Sequence, residues 1–233
     1  LLYKEEIRTC GKDAKNIVSL GTAGFVMQLT NSLVSICCNN VLSATGGDVY
    51  VSVMTIISSV RQMIETPIWS ISEGSSPVIS YNYGAKRPKK VIEAWITMSV
   101  LALIYSLIAW SVILFAPKFL IGIFSSDKSL MIDTVPAMKL YFSAFIFMLF
   151  QYTGQTMFKS LNKKKQAIFF SILRKVIIVV PMTYMFPYVF HMGSNGVFMA
   201  EPVSNVIGGS LCFIVMLLTV LPELKQMNSD LSS

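Results

Sequence analysis

Histidine and charge are what this chain has least of. Its 233 residues include one histidine, His191, and only 13% of them are charged, about half the usual share of a soluble domain. No Cys/His spacing suits a metal, so no metal centre is expected. No Ser/His, Cys/His or HExxH constellation is present either, and His191 falls between apolar runs. The expectation is therefore that the chain is not an enzyme. Cysteine is sparse, at Cys10, Cys37, Cys38 and Cys212. Cys37 and Cys38 are neighbours that point apart on a helix, and all four read as reduced, small apolar packers.

Apolar bulk takes the place of charge. Apolar types make up 54% of the chain and the mean hydropathy is +0.63. A soluble domain does not need that much apolar surface, so the expected class is an all-α, multi-pass membrane protein with the lipid bilayer as its surroundings. The formal net charge is +7. Its cations sit in short clusters between apolar runs, as membrane topology requires, and no nucleic-acid partner is expected. The chain opens at Leu1, not Met, with a charged stretch and no visible signal peptide, which reads as an interior cut from a longer protein.

Six apolar segments follow a polar stretch at 1–16: about 17–41, 50–83, 91–116, 132–158, 167–190 and 195–221. Each can cross a hydrocarbon core, which takes roughly 20 residues. The second is too long for a plain crossing and is expected to bend near Pro67 or Pro77 and to project beyond the membrane. The connections alternate in charge. Lys4, Arg8, Lys12 and Lys15, then Lys86, Arg87, Lys89 and Lys90, then Lys159, Lys163, Lys164 and Lys165, and finally Lys225 fall on one side. The other side has Lys118, Lys128 and Lys139, and the turns at Gly46-Gly47-Asp48 and His191 to Asn195 have no Lys or Arg. This asymmetry places both termini in the cytoplasm. Residues 1–16 become a cytoplasmic linker, 17–221 a six-helix lobe, and 222–233 a cytoplasmic tail.

Polar residues inside apolar helices mark protein or cavity contacts. Gln28, Asn31, Ser35 and Asn39 share one helix face by their spacing. Gln151 and Gln155 form an i, i+4 pair with Met148 close to the same surface. Both groups read either as interhelical hydrogen bonding or as the lining of a cavity; a Gln and Met wall suits varied amphiphiles. Arg61 and Glu65 can neutralise each other along one helix. Glu73 lies about 16 Å inward of Gly84, and Arg174 about 14 Å inward of Lys165, at 1.5 Å per residue. The matching depths predict that Glu73 pairs with Arg174 or Lys175. The alternative is a protonatable Glu73 tied to gating. Glu201 is near the outer end of the last helix, where it is either hydrated or within reach of Arg61. Gly208 and Gly209 permit close helix approach. Pro67, Pro77, Pro181 and Pro202 each free a carbonyl one turn earlier, giving static kinks or bending points. Ser58-x-x-Arg61…Pro67 and Ser171-x-x-Arg174…Pro181 read as a faint three-plus-three repeat.

The run from Pro67 to Lys86, P-x-W-x-x-S-E-G-x-x-P-V-I-S-Y-N-Y-G-A-K, resembles the eighth helix of multidrug and toxic compound extrusion (MATE) transporters, most of all in their bacterial branch. Gly21 to Asn39 is similar to the seventh helix and Gln151 to Gln166 to the end of the tenth. Ser171-x-x-Arg174 with Pro181 resembles the eleventh, and Gly196-Val-Phe-x-Ala-x-Pro202 the start of the twelfth. The resemblance implies one six-helix lobe of a twelve-helix transporter, the carboxy-terminal one, working with an amino-terminal lobe. It further implies export of cationic or amphiphilic small molecules in exchange for Na⁺ or H⁺, with no bound cofactor, in the bacterial inner membrane. Where family members carry acidic residues, this chain has Met148, a position near Gln28, and Asn205, so no ion site is expected at these positions. Asn205 joins Gln28, Asn31, Ser35, Asn39, Met148, Gln151 and Gln155 as an expected cavity residue. A flippase for lipid-linked oligosaccharides, from the same superfamily, is the alternative; it would favour several cations facing the cavity.

Overall fold

The computed structural model describes the backbone of residues 4–230, with the side chains of Phe25 and of residues 28–230. Cys10, the amino-terminal cations and the start of the Gly21-to-Asn39 stretch lie outside the described side chains. All secondary structure among the described residues is helical. Helix α1, Lys4–Gly84, is broken at Gly47, whose φ of 71° and ψ of −170° are non-helical. Glycine tolerates that left-handed φ at little cost, so the Gly46-Gly47-Asp48 connection becomes a reversal between two arms, 4–46 and 48–84. Then follow α2 (Pro88–Phe115), the short α3 (Pro117–Phe124), α4 (Lys128–Tyr141) and α5 (Phe145–Ser160). Two long helices complete the chain, α6 (Lys164–Tyr188) and α7 (Ser194–Asp230).

The fold is an all-α bundle of six membrane passes. Gln28–Gly84 supplies two passes through its arms; α2, α6 and α7 are each long and apolar enough to cross; α4 and α5 together make the sixth, bent by 50° at residues 142–144. That bend departs from the single segment expected at 132–158. The carbonyl of Phe142 there accepts a hydrogen bond from Trp110 Nε1 at 2.9 Å, so an indole from α2 supplies a donor where the α4 helix ends. Helical geometry continues through Pro67 and Pro77, where a bend is expected, and the non-helical departure in α1 is at Gly47. Along this arm Ser59, Thr66, Ser70 and Ser75 return their hydroxyls to the carbonyl four residues earlier, at 2.6–2.9 Å. Such bonds satisfy polar side chains that lipid cannot.

Helix α5 packs against α1, α2, α6 and α7 and so forms the centre of the bundle. Two apolar clusters hold the two ends. One includes Leu42, Ile57, Met138, Phe142 and Phe198; the other includes Ile79, Met98, Phe158, Met216 and Leu224. The second end also gathers the cationic connections. Tyr83 Oη donates to Glu223 at 2.5 Å, Lys163 pairs with the same carboxylate, and Ser76 and Ser160 bond at 2.8 Å. At the opposite end Thr45 and Ser194 hydroxyls meet at 3.4 Å, joining the break at Gly47 to the start of α7. The two dense cation clusters therefore lie at one end and the turns without Lys or Arg at the other.

Candidate functional site

Against the first apolar cluster lies a cavity of about 570 Å³, with Val34, Cys38, Tyr141, Met148, Val179 and Val197 of that cluster in its wall. Both arms of α1 and helices α4, α5, α6 and α7 line it, while α2 and α3 contribute nothing to the wall. The polar stripes point here. Gln28, Asn31 and Ser35 from the first arm and Met148, Gln151 and Gln155 from α5 all line the cavity. Asn39, one turn further along the stripe, is not in its lining. Asn205 is not either; it is buried behind the wall and accepts a hydrogen bond from Arg174 Nη1. Its assignment as a cavity residue is corrected to that of a support for Arg174.

The centre of the wall is Glu201. One of its oxygens, Oε1, meets Arg61 Nη2 at 2.9 Å, Arg174 Nη1 at 3.2 Å and Lys175 Nζ at 3.3 Å. Helices α1, α6 and α7 are thus joined by one carboxylate. Arg61 also pairs with Glu65 through its Nε and donates to Tyr141 Oη, and Tyr152 Oη donates to Glu65 at 3.2 Å. Glu201 is 4% exposed, Arg174 6% and Lys175 7%. Removing such charges from water costs several kcal/mol per ion, offset only by close, multiply bonded partners. The Arg61–Glu65 pair read from the sequence is therefore one edge of a five-member charge network.

Local backbone makes this convergence possible. Residues Leu173–Val179 of α6 are wound as a π-helix, as are Asn205–Gly209 of α7. The wider i→i+5 turn brings consecutive side chains closer in azimuth than the 100° of an α-helix. Both Arg174 and Lys175 are buried and reach the same oxygen. The two π segments flank Pro181 and Pro202, which lack the N–H that regular winding would use. A Cβ at Gly208 would stand 2.9 Å from Arg174 Cγ, and one at Gly209 only 2.5 Å from the Phe147 carbonyl oxygen. These glycines admit the arginine stem and the α5 backbone, the close approach expected at Gly208 and Gly209.

The expected pairing of Glu73 is overturned. Glu73 bonds to Lys159 Nζ at 2.7 Å, with both side chains about a third exposed (39% and 34%). Arg174 and Lys175 are held by Glu201 instead. Rise per residue measures position along a helix and does not fix azimuth. Lys159, one residue from the end of α5, reaches inward on its long stem. The faint repeat has a structural counterpart: Ser58 and Ser171 both line the cavity, and Arg61 and Arg174 both end on Glu201. Cys38 is buried with its Sγ 3.8 Å from Thr183 Oγ1, Cys212 is buried, and Cys37, Cys38 and Cys212 are free thiols.

The MatE family model matches residues 24–185. No curated protein matches the chain in sequence. Among solved structures, MATE in the bent conformation is 18% identical, with a TM-score of 0.82, over 100% of this chain and 49% of that one. The inward-facing conformation of a multidrug resistance MATE family transporter of the MOP superfamily is 19% identical, with a TM-score of 0.80, over 98% of this chain and 50% of that one. The outward-facing conformation of such a transporter is 19% identical, with a TM-score of 0.79, over 98% and 49%. The chain therefore spans about half the length of the structures it matches. With the family match covering most of its length, and one six-helix lobe of the twelve-helix fold in its structure, the chain belongs to the MatE family of multidrug and toxic compound extrusion transporters.

Proposed function

We propose that this chain is the carboxy-terminal lobe of an ion-coupled efflux transporter that moves amphiphilic small molecules by alternating access. The observation that carries this reading is the polar cavity walled by five of the six passes, with a Met and Gln face on α5. Inward-facing and outward-facing forms among the similar structures support rocking of one lobe against another. The second lobe supplies the opposite wall. In this lobe Glu65, Glu73 and Glu201 each already hold a cation. The carboxylate that binds the exchanged Na⁺ or H⁺ accordingly belongs to the amino-terminal lobe. Topology follows the cation clusters: both termini, the 1–16 linker and the 222–233 tail face the cytoplasm of a bacterial inner membrane.

The experiment is co-reconstitution of the chain with an amino-terminal MATE lobe in vesicles carrying a Na⁺ or H⁺ gradient. Gradient-dependent ethidium export is expected, and no export under either gradient overturns the proposal. Flipping of a lipid-linked oligosaccharide remains the second reading. It is favoured by the convergence of Arg61, Arg174 and Lys175 on one part of the wall.

A further inference from the structure

A second recess lies outside the cavity, a groove of about 230 Å³ between α2, α5 and α7. Helix α5 separates the two. Met148, Gln151 and Gln155 line the cavity, whereas Leu149, Phe150 and Thr153 line the groove from the opposite side of the helix. The facing wall of the groove is α2, which takes no part in the cavity. With the cavity turned toward a second lobe, the groove is turned toward lipid.

Its lining is apolar. The two hydroxyls in it are turned onto backbone carbonyls: Ser99 Oγ donates to Trp95 at 2.8 Å and Thr153 Oγ1 to Leu149 at 3.0 Å. The Phe213 ring lies 6.0 Å from Trp95, stacked on it, and 4.9 Å from Phe150, so three aromatic rings form a built floor. Ile96, Val100 and Leu103 remain 48%, 47% and 37% exposed along the rim. Such a surface accepts a hydrocarbon chain and offers nothing to an ionic or hydrogen-bonding ligand.

Charge at one end of the groove selects the hydrocarbon. Lys89 precedes Ile96 by about two helical turns, so it stands on the same face of α2, about 10 Å nearer the cation-rich end. Leu103 lies about 10 Å beyond Ile96 in the other direction. From Lys89 to Leu103 the distance is thus about 21 Å, half of a bilayer about 40–45 Å thick with its headgroups. One lipid of one leaflet has that length. Lys86, Arg87, Lys89 and Lys90 are all exposed. Glu93 pairs with Lys90 at 2.8 Å. Among the described residues Lys86, Arg87 and Lys89 form no ion pair. Cations just outside a membrane pass attract the phosphates of anionic lipids.

We propose that this groove is a site for one anionic phospholipid, with an acyl chain between α2, α5 and α7 and its phosphate at Lys89, where Lys86 and Arg87 add charge. The lipid-facing placement rests on the two-lobe reading. Retention of a lipid requires no transport, so failed export and failed retention are separate results.

The test is native mass spectrometry of the full chain, delipidated in an uncharged maltoside detergent and titrated with dioleoyl phosphatidylglycerol, dioleoyl phosphatidylcholine or glycerol 3-phosphate. One phosphatidylglycerol is expected to bind about tenfold more tightly than phosphatidylcholine, and glycerol 3-phosphate is not retained. Joint replacement Lys86→Gln, Arg87→Gln and Lys89→Gln removes most of the preference. Val100→Trp, which fills the groove, weakens retention of both lipids, whereas Ile104→Trp, on the same helix but outside the groove, leaves it unchanged. Equal retention of the two lipids by the unmodified chain overturns the proposal, as does an unchanged preference in the triple variant; neither result needs Val100→Trp to fold. Undiminished retention in folded Val100→Trp also overturns it, as does glycerol 3-phosphate binding as tightly as phosphatidylglycerol. Loss of the retained lipid when the chain dimerises, or when an amino-terminal lobe is added, assigns the groove to a protein partner and overturns it too.

Discussion

Nη2 of Arg61 lies 2.9 Å from Oε1 of Glu201, joining the second arm of α1 to α7 across the interior of the lobe. Four further groups extend this contact: Glu65 and Tyr141 around Arg61, Arg174 and Lys175 around Glu201. The arrangement holds three passes together by charge in a region where water is scarce. Its failure modes are therefore specific.

Neutralising Glu201 leaves three cations facing one another around an amide. Breaking a buried charged partnership costs about 3–5 kcal/mol. Glu201→Gln should lower the unfolding midpoint of the detergent-solubilised chain sharply. Replacing Arg61 and Glu201 together by Met should recover part of the loss, because two of the desolvated charges are then gone. Thermal unfolding followed by circular dichroism distinguishes these outcomes; a Glu201→Gln protein as stable as the unmodified one contradicts the network.

Glu73 should behave otherwise. Its pair with Lys159 is about a third exposed, and such pairs contribute about 0–1 kcal/mol. Glu73→Gln is expected to cost less than about 1 kcal/mol. The charge swap Glu73→Lys with Lys159→Glu should restore any loss, whereas Glu73→Lys combined with Arg174→Glu should not. Rescue by the Arg174 partner and not by Lys159 contradicts the structure.

The glycines of α7 and of α1 should separate in the same assay. Gly209→Ala drives a methyl to 2.5 Å from the Phe147 carbonyl, and Gly208→Ala one to 2.9 Å from the Arg174 stem. Overpacking of this kind costs about 1–3 kcal/mol. Gly208→Ala has a second consequence, since the displaced stem carries Arg174 away from Glu201. Gly74, with nothing within 4 Å of a built Cβ, should gain up to about 1 kcal/mol on substitution by Ala. A neutral Gly209→Ala removes the argument for close helix approach there.

The reach of the sequence is set by which of these features are periodic. The six passes follow from apolar runs, and the reversal at Gly47 follows from a Gly-Gly-Asp turn. The inward faces of Gln28, Asn31, Ser35, Gln151 and Gln155 follow from helical spacing. The 50° bend at 142–144 was not visible, because Tyr141 to Phe145 contains neither Gly nor Pro. The hydrogen bond at the bend comes from the Trp110 indole of α2, a contact between residues 32 apart that helical spacing does not reveal. Glu73 was given the wrong partner because rise per residue measures depth and not direction. The joint approach of Arg174 and Lys175 to Glu201 was missed because α-helical spacing separates neighbours by 100°, and the π winding that changes this leaves only Pro181 as its mark in the sequence.

Topology has its own test. Single cysteines introduced at Lys89 and at His191, in a chain without its native cysteines, should react oppositely with a membrane-impermeant thiol reagent applied to intact cells. His191→Cys should label and Lys89→Cys should label only after lysis. The reverse pattern inverts the lobe in the membrane.

The most direct measurement is ethidium flux in vesicles that contain this chain alone. Among the described residues the three carboxylates that line the cavity, Glu65, Glu73 and Glu201, each already pair with a cation. The account predicts no export under an imposed Na⁺ or H⁺ gradient. Clear gradient-driven export by the chain alone contradicts it.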